Sequence, residues 1–492
     1  MESSFIGRQE ELSLLNRVWE SDKASLIILY GRRRVGKTRL LTHWMTQHEE
    51  NGLYWMAPAT SALDQLRSFS QTLMDFADPN APIPDDFTYS SWELALHQAS
   101  ILASEKRFAL FIDEVTYLMD VSLSIVGTLQ KAWDQWLSKS NILLILSGSQ
   151  MGLMQRELLS YKAPLYGRSE AHLKLPPLPF GVSQQFFPDY SARERIAIYA
   201  IWGGIPAYWE RLNPNLTVME NLRTQLQPSN AWILDEPRTL LQDFITDPYN
   251  YVGVIRAIAY GGHTLSDIGK RSGLSSGPAS KYLSILRDTG FVERQVPIME
   301  RSPDSRRGRY FITDPFLRFF YRFLAAYQSK LALGKMDQTM ESISLGLPQF
   351  IEDNTWQELC REWVLLASAH DELPVPIEEV GSEWKRTYAV DIVGVSFEER
   401  TLVLGSCHWD DDPLDSEPVE ELLRRTSSIV PDKEPWSVYY VGFAAGGWQD
   451  ETKSEANALV TNYRPGRAKW QSVGIRLLSL EDVDADLARW TD

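Results

Sequence analysis

Three short apolar runs, each ending in polar residues, shape the first third of the chain. They are Ser25–Tyr30, Phe108–Ile112 and Ile142–Leu146. Runs of this length without polar positions are typical of strands buried on both faces of a parallel sheet. Helical spacing lies around them, beginning with Leu12, Leu15 and Val18 in residues 5–19. The alternation predicts a doubly wound α/β domain whose ligands bind at the carboxyl ends of the strands.

The pattern changes three times after residue 170. A proline-rich break covers Leu173–Pro179, helical spacing continues to about residue 245, and short helices with a glycine turn follow over 250–325. The last block predicts one helix and then three strands, at Phe350–Ala369, Tyr388–Val395, Thr401–Cys407 and Trp436–Gly442. These changes predict four parts: an α/β domain over residues 1–175, a helical lid over 176–245, a helix-turn-helix module over 246–330 and a second α/β domain over 335–492.

The charge is unevenly distributed along the 492 residues. The chain has 49 basic and 65 acidic side chains, and residues 331–492 hold 14 and 31 of them, so all of the excess negative charge lies there. The C-terminal third is therefore either a well-solvated acidic domain or a docking surface for a basic partner, and a poor nonspecific DNA binder. No stretch predicts a membrane helix or signal peptide, and two cysteines make no disulfide framework, so we expect a cytoplasmic protein without membrane contacts.

Residues 31–38 fit the pattern G-x-x-x-x-G-K-[ST] between a buried strand and a predicted helix. Glycine lets such a loop curl so that its N–H groups and the helix N-terminus face phosphates. We expect Lys37 to neutralise the β- and γ-phosphate oxygens of ATP and the Thr38 hydroxyl to hold Mg²⁺. The residues predicted to bind the nucleotide here are Gly31, Arg32, Arg33, Arg34, Val35, Gly36, Lys37, Thr38 and Arg39.

Two acids follow the second apolar run. Asp113 and Glu114 come directly after Ile112. A P-loop needs another acid at a strand tip to hold the metal, which suits Asp113. Glu114 is then placed to polarise the attacking water.

Each of three residues further along the chain has two possible interpretations. Ser147 and Ser149, at the tip of the third run, either contact the γ-phosphate or lytic water or form a small-residue turn. Arg168 either senses or stabilises a γ-phosphate, in its own subunit or a neighbour, or is a surface arginine. A neighbour's site would require a homo-oligomer.

Six motifs occur in order: FIGR-x-EEL, GRRRVGKT, FIDE, LSGS, PLYGR and GGIPAYW. Together they resemble the archaeal-type P-loop ATPases related to AAA+ and STAND proteins, a group also found in bacteria. The resemblance covers essentially the whole chain. It implies that Arg8 lies near the nucleotide base, that Ser147 and Ser149 form a sensor, and that Arg168 is a trans-acting or sensing arginine. It also implies a winged helix after the ATPase parts.

Residues 264–287 have helix–turn–helix spacing, with Gly273 at the turn and Leu283 and Leu286 facing inward. A strand and a basic wing follow, and residues 261–310 hold nine basic and five acidic side chains. The second helix is predicted to enter a major groove of double-stranded DNA while the wing touches phosphate. The alternative is a module that only packs or contacts protein. The residues of the second helix predicted to face DNA are Ser276, Ser280, Lys281, Ser284 and Arg287. Those of the wing, whose tip begins at Arg301, are Arg306, Arg307 and Arg309.

The C-terminal domains of the matching family resemble restriction endonucleases, with a Glu on a helix, an Asp on a strand and Glu-x-Lys on the next. Glu358 and Asp391 fit the first positions, whereas Ser406 and His408 stand where Glu and Lys belong. Because serine cannot supply a carboxylate's charge to Mg²⁺, we expect a scaffold or partner-binding module with doubtful nuclease activity. His408 acting with Asp410 is the alternative ligand pair.

These observations predict an ATP-binding and ATP-hydrolysing switch that uses Mg²⁺. Its nucleotide state would change how a winged helix and an acidic endonuclease-like domain meet DNA or a protein partner. Two other functions stay open: a DNA-binding regulator or a defence or mobile-element component with structural ATP, and an ATP-dependent nuclease.

Overall fold

The computed structural model describes residues 5–48, 51–227, 232–242, 249–300, 302, 304–431, 434–464 and 469–491. Arg301, the first residue of the predicted wing tip, lies outside them. The described residues form two units. The first unit comprises residues 5–178, 205–210 and 240–242, and the second comprises the remainder.

The first unit is built on a five-stranded parallel sheet in the order β2-β3-β4-β1-β5. Its strands are β1 Ser25–Tyr30, β2 Gly52–Met56, β3 Phe108–Asp113, β4 Ile142–Gly148 and β5 Ala171–Lys174. The central strands β1, β3 and β4 are almost wholly buried. This confirms the predicted α/β fold and brings the ends of those three strands to one edge.

Seven α-helices of the described chain accompany this sheet, and two of them begin at a serine that caps them. Ser61 and Ser91 accept hydrogen bonds from the first-turn amides of α3 and α4. The buried Leu12, Leu15 and Val18 fix the inner face of α1. The helices are α1 Gln9–Glu20, α2 Lys37–Gln47, α3 Ala62–Ala77, α4 Trp92–Glu105, α5 Val115–Val121, α6 Ser124–Gln135 and α7 Met151–Met154.

Helices dominate the chain from residue 179 to 369, with a two-stranded antiparallel ribbon among them. The ribbon strands are β6 Val292–Gln295 and β7 Arg309–Ile312. The helices are α8 Ser183–Phe186, α9 Ala192–Trp202, α10 Pro206–Trp209, α11 Val218–Gln225, α12 Trp232–Gln242, α13 Tyr249–Ala259, α14 Leu265–Ser272, α15 Ser276–Asp288, α16 Pro315–Phe319, α17 Gln328–Ala332, α18 Met336–Ile351 and α19 Gln357–Ala369. Helix α10 belongs to the first unit. No helix among the described residues is long and apolar enough to cross a membrane.

A second five-stranded sheet, in the order β12-β11-β10-β9-β8, completes the second unit. Strands β10, β11 and β12 are parallel, whereas β8 and β9 are antiparallel to their neighbours. Helix α19 packs against β8 and β9, and a helix between β10 and β11 covers an apolar core that includes Val419, Leu422 and Val438. The elements are β8 Glu379–Trp384, β9 Ala389–Ser396, β10 Thr401–His408, α20 Glu417–Ile429, β11 Trp436–Ala444, α21 Thr452–Asn462, β12 Trp470–Ser479 and α22 Leu480–Arg489.

Candidate functional site

The loop between β1 and α2 is shaped by two glycines. A side chain at Gly31 would lie 2.5 Å from the backbone oxygen of Leu175, so the close approach of these backbones excludes any larger residue. Gly36 precedes α2 with a φ of 99°, in the left-handed region that glycine adopts without strain. The loop therefore delivers the N-terminus of α2, with its unpaired amides, to the carboxyl edge of the sheet.

Lys37 and Arg8 hold this loop from two sides. The Lys37 ammonium, on a residue only 5% exposed, donates to the backbone oxygens of Gly31 at 3.0 Å and Arg32 at 3.2 Å. Arg8 donates through Nη2 to the Val35 oxygen at 3.1 Å, and burial lowers the pKa of its guanidinium. Arg8, for which the resemblance implied a position near the base, thus lies against the backbone of the phosphate-binding loop.

Asp113 is the centre of a hydrogen-bond network at the tips of three strands. Its Oδ2 accepts from Thr38 Oγ1 at 2.6 Å and from the Tyr54 hydroxyl at 2.7 Å, and its Oδ1 accepts from Ser147 Oγ at 2.6 Å. Burial, followed by the charge of Asp113, raises the pKa of Tyr54. A fully buried carboxylate beside a threonine hydroxyl is an oxygen donor set that suits Mg²⁺.

Glu114 has a strained backbone and a side chain fixed through one oxygen. Its φ of 50° is unusual for a non-glycine residue and is typical of functional sites. Its Oε2 accepts from Ser149 Oγ at 2.9 Å, Ser149 N at 3.2 Å and Thr116 Oγ1 at 3.2 Å. The two serines of the β4 tip therefore bond the two acids in order, Ser147 to Asp113 and Ser149 to Glu114.

The arginines of the loop contact residues that the sequence did not single out. Arg32 donates to the Tyr208 hydroxyl at 3.0 Å, and the Arg34 guanidinium lies 5.9 Å from the centre of the same ring. Arg33 donates to the Tyr117 hydroxyl at 2.8 Å. Tyr208 belongs to the GGIPAYW motif, which was the only signal that could have found it. Outside the loop proper, Arg39 forms an ion pair with Glu210.

Arg168 is engaged on the surface of α6. Its Nε and Nη2 donate to the two carboxylate oxygens of Asp134 at 2.7 and 2.8 Å, and its Nη1 donates to the Pro164 oxygen at 2.9 Å. This bidentate pair holds the pKa of Asp134 below its usual value. Arg168 would have to exchange Asp134 for a phosphate to act as a sensing arginine.

The residues predicted to face DNA divide into two groups. On α15, which follows the left-handed Gly273, the polar face is exposed while Leu283 and Leu286 are buried. Of the three arginines predicted to face DNA from the ribbon, Arg306 is exposed, whereas Arg307 and Arg309 are partly buried. The exposed residues of α15 are Ser276, Ser280, Lys281, Ser284 and Arg287.

Two ribbon arginines are held by strand β8 instead. Arg307 donates through Nε to Glu300 Oε1 at 2.7 Å and through Nη1 to the Trp384 oxygen at 2.9 Å, while Trp384 Nε1 donates back to the Arg307 oxygen at 3.1 Å. The Arg309 guanidinium lies 4.8 Å from the centre of the Trp384 ring. Any contact of Arg307 or Arg309 with DNA must compete with these interactions.

The endonuclease-like positions lie in separate environments. Glu358 accepts from Arg318 Nη2 at 2.7 Å, and burial raises the pKa of the Asp391 carboxyl. The Ser406 hydroxyl and His408 Nε2 are buried without a hydrogen-bond partner among the described residues. Within those residues, no group of three or more His, Cys, Asp or Glu side chains could hold a metal ion.

Family models match two parts of the chain. Residues 5–212 match a family described as an ATPase domain predominantly from Archaea. Residues 320–422 match a family described as archaeal and bacterial proteins of unknown function. The first match contains the whole network around Asp113 and Glu114.

Individual relatives are similar to this chain over different lengths. An uncharacterised protein of Methanocaldococcus jannaschii is 28% identical over 459 residues, which cover 93% of this chain and 98% of that protein. An uncharacterised ATP-binding protein of the same organism is 58% identical over 41 residues, 8% of this chain and 70% of that protein. The structure of the Walker-type ATPase of Pyrococcus abyssi has a TM-score of 0.51 at 20% identity, over 65% of this chain and 96% of that chain, which shows a shared fold.

Proposed function

We propose that the protein binds ATP with Mg²⁺ and hydrolyses it as a molecular switch, because residues 5–212 match an ATPase domain family. The observation that carries the proposal is the pair of networks at the sheet edge. Thr38, Asp113 and Ser147 are joined by two hydrogen bonds of 2.6 Å, and Ser149 fixes Glu114 beside them.

Each residue of the site has its own role in ATP binding and hydrolysis. The amides of the loop and of the first turn of α2 bind phosphate oxygens, and Lys37 neutralises their charge. Thr38 and Asp113 would hold Mg²⁺, which supplies positive charge to the phosphates when bound. Glu114 orients the attacking water and takes its proton as the new oxygen–phosphorus bond forms at the γ-phosphate. The bond from the γ-phosphorus to the bridging oxygen breaks at the same time, so the products are ADP and inorganic phosphate. Since Ser149 and Thr116 already occupy Oε2, we assign the proton to Oε1.

The proposed switch also acts on double-stranded DNA through a winged helix made of α13–α15 and the β6–β7 ribbon. Support comes from charge and exposure. Lys281, Arg287 and Arg306 are exposed and have no acidic partner among the described residues. We assign DNA contact to the α15 face and Arg306. We assign Arg307 and Arg309 to the contact between the ribbon and strand β8. A protein partner on the acidic C-terminal domain is the competing coupling.

Steady-state ATP hydrolysis with and without duplex DNA tests the switch. The matched variants are Lys37→Ala, which removes the positive charge that faces the phosphates, and Glu114→Gln, which keeps the shape of the base but not its charge. We expect both to abolish turnover and only Lys37→Ala to weaken ATP binding. Turnover of Glu114→Gln equal to that of the unmodified protein would refute hydrolysis at this site, and would favour a regulator with structural ATP. DNA stimulation supports coupling through the winged helix, and its absence points to the protein partner.

Salt dependence of duplex binding tests the DNA contact separately. Each phosphate contact contributes roughly 0.9 to the slope of log affinity against log salt. We expect Arg306→Ala to lower the slope by about one contact. Arg424→Ala, a change at an exposed arginine of α20, is the control and should leave the slope unchanged. Equal slopes for all three proteins would remove Arg306 from the interface.

A further inference from the structure

A cleft of about 600 Å³ lies inside the second unit, between the β6–β7 ribbon side and the second sheet. Its volume falls in the range of roughly 300–1,000 Å³ that small-molecule sites occupy. Arginines from four different places line it, together with rings that include Tyr260, Phe311 and Trp384. The four arginines are Arg309, Arg318, Arg322 and Arg361.

Three of these arginines have donors that the protein does not use. The Arg309 guanidinium lies over Trp384, and that of Arg322 lies 5.4 Å from the centre of the Tyr260 ring. Neither forms an ion pair within the described part of the chain. Arg318 is 6% exposed, and its Nη1 is buried without an acceptor in that same part. A buried donor left unsatisfied is costly and points to a missing ion or ligand.

Four carboxylates line the cleft, and one of them, Asp353, is exposed and accepts from Gln349 Nε2 at 3.0 Å. Glu358 accepts from Arg318. Glu383 lies 3.7 Å from Arg307 and accepts from the Met299 amide at 3.1 Å. Burial raises the pKa of Asp391 and of Glu383. The unused donors of Arg309, Arg318 and Arg322 are the groups that would bind an anion in the cleft.

We propose that this cleft is a second ligand site, separate from the phosphate-binding loop, and that it binds a nucleoside monophosphate without a metal. Arg318 puts a fixed cation on Glu358, the acid for which an endonuclease would need Mg²⁺. Arg309 and Arg322 offer planar donors that match a phosphate group. The aromatic walls offer faces on which a base stacks.

Titration calorimetry of AMP into the full-length Lys37→Ala protein, in EDTA, tests the proposal. That background removes the loop lysine, so binding there reports the cleft. We expect one AMP per chain, and about tenfold weaker binding for Arg322→Gln and for Arg309→Gln. Arg424→Gln is the control for general charge, and circular dichroism checks folding. Two variants keep the test decisive, because Arg322 is exposed and its replacement removes no ion pair within the described residues.

Four results would overturn the proposal. They are absence of AMP binding at millimolar concentration, equal loss in Arg424→Gln, binding that requires Mg²⁺, and inorganic phosphate binding as tightly as AMP. A 5′-phosphorylated oligonucleotide that binds while AMP does not would also contradict it, because the cleft would then hold a nucleic-acid end. Failure of any kind here leaves ATP hydrolysis at Glu114 untouched, since the loop site is measured by other variants.

Discussion

Replacing Ser149 with alanine removes one of three hydrogen bonds that fix the Glu114 carboxylate. The hydroxyl bond at 2.9 Å is the shortest of the three, and the backbone amide of Ser149 still donates at 3.2 Å in the variant. A hydrogen bond to a charged group contributes about 1.5–3 kcal/mol. If the lost bond orients the base in the transition state, kcat falls by about 10- to 100-fold, because each 1.36 kcal/mol is tenfold.

The assay compares kcat with ATP affinity in a double-mutant cycle. Ser149→Ala should lower kcat and leave the Kd of ATP within twofold, since its hydroxyl bonds Glu114 and not the loop. In the Glu114→Gln background the same change should have little further effect, because the two residues act as one unit. Equal losses in both backgrounds, or a kcat unchanged by Ser149→Ala, would refute the assignment of Ser149 as a positioning residue for Glu114.

Two further predictions concern the stability of the second unit. Asp484→Asn should lower the free energy of unfolding by about 3–5 kcal/mol, because it leaves the buried Arg195 without its charge partner. Asp411→Asn breaks the exposed ion pair with Arg193, which lies on the same helix as Arg195. This change should alter the free energy of unfolding by less than about 1 kcal/mol in urea titrations. Burial, with the Glu358 charge, raises the pKa of Glu362 from 4.5 to about 7. The folded protein therefore keeps a proton that the unfolded chain releases, so stability should fall between pH 4.5 and 7; Glu362→Gln should flatten that decline, and an unaltered pH profile would contradict it.

The sequence predicted the central strands of both sheets and overlooked the edges. Strands β1, β3 and β4 are buried on both faces and read as continuous apolar runs, and β10 is buried along almost its whole length. The strands that the pattern missed are β2, β5, β8 and β12, which are the edges of the two five-stranded sheets. One long side of an edge strand faces solvent instead of another strand. Polar residues therefore occur along it, and it has no continuous apolar run in the sequence. Tyr54 was overlooked for this reason, because it lies on β2.

Partners far apart in sequence were beyond prediction for a different reason. The loop residues and the two acids follow local rules, because a glycine turn, a helix start and a strand tip are each set by a few neighbouring residues. Arg307 and Trp384 meet only because the ribbon and strand β8 pack together, and Arg168 meets Asp134 only because the turn that carries Arg168 adjoins α6. Charge counts along the chain located the basic segment, but which arginines it leaves exposed depends on tertiary contacts.

Helix α10 makes the first unit discontinuous along the chain. Its Tyr208 bonds Arg32 of the phosphate-binding loop, although more than 170 residues separate the two and helices of the second unit lie between. A fragment that stops after β5 would keep every glycine, acid and serine of the nucleotide site and still lose the ring on which two loop arginines rest. A fragment that ends at residue 212, where the archaeal ATPase family model ends, retains it. The family match and the first unit thus both include α10, which a cut after the last strand would remove.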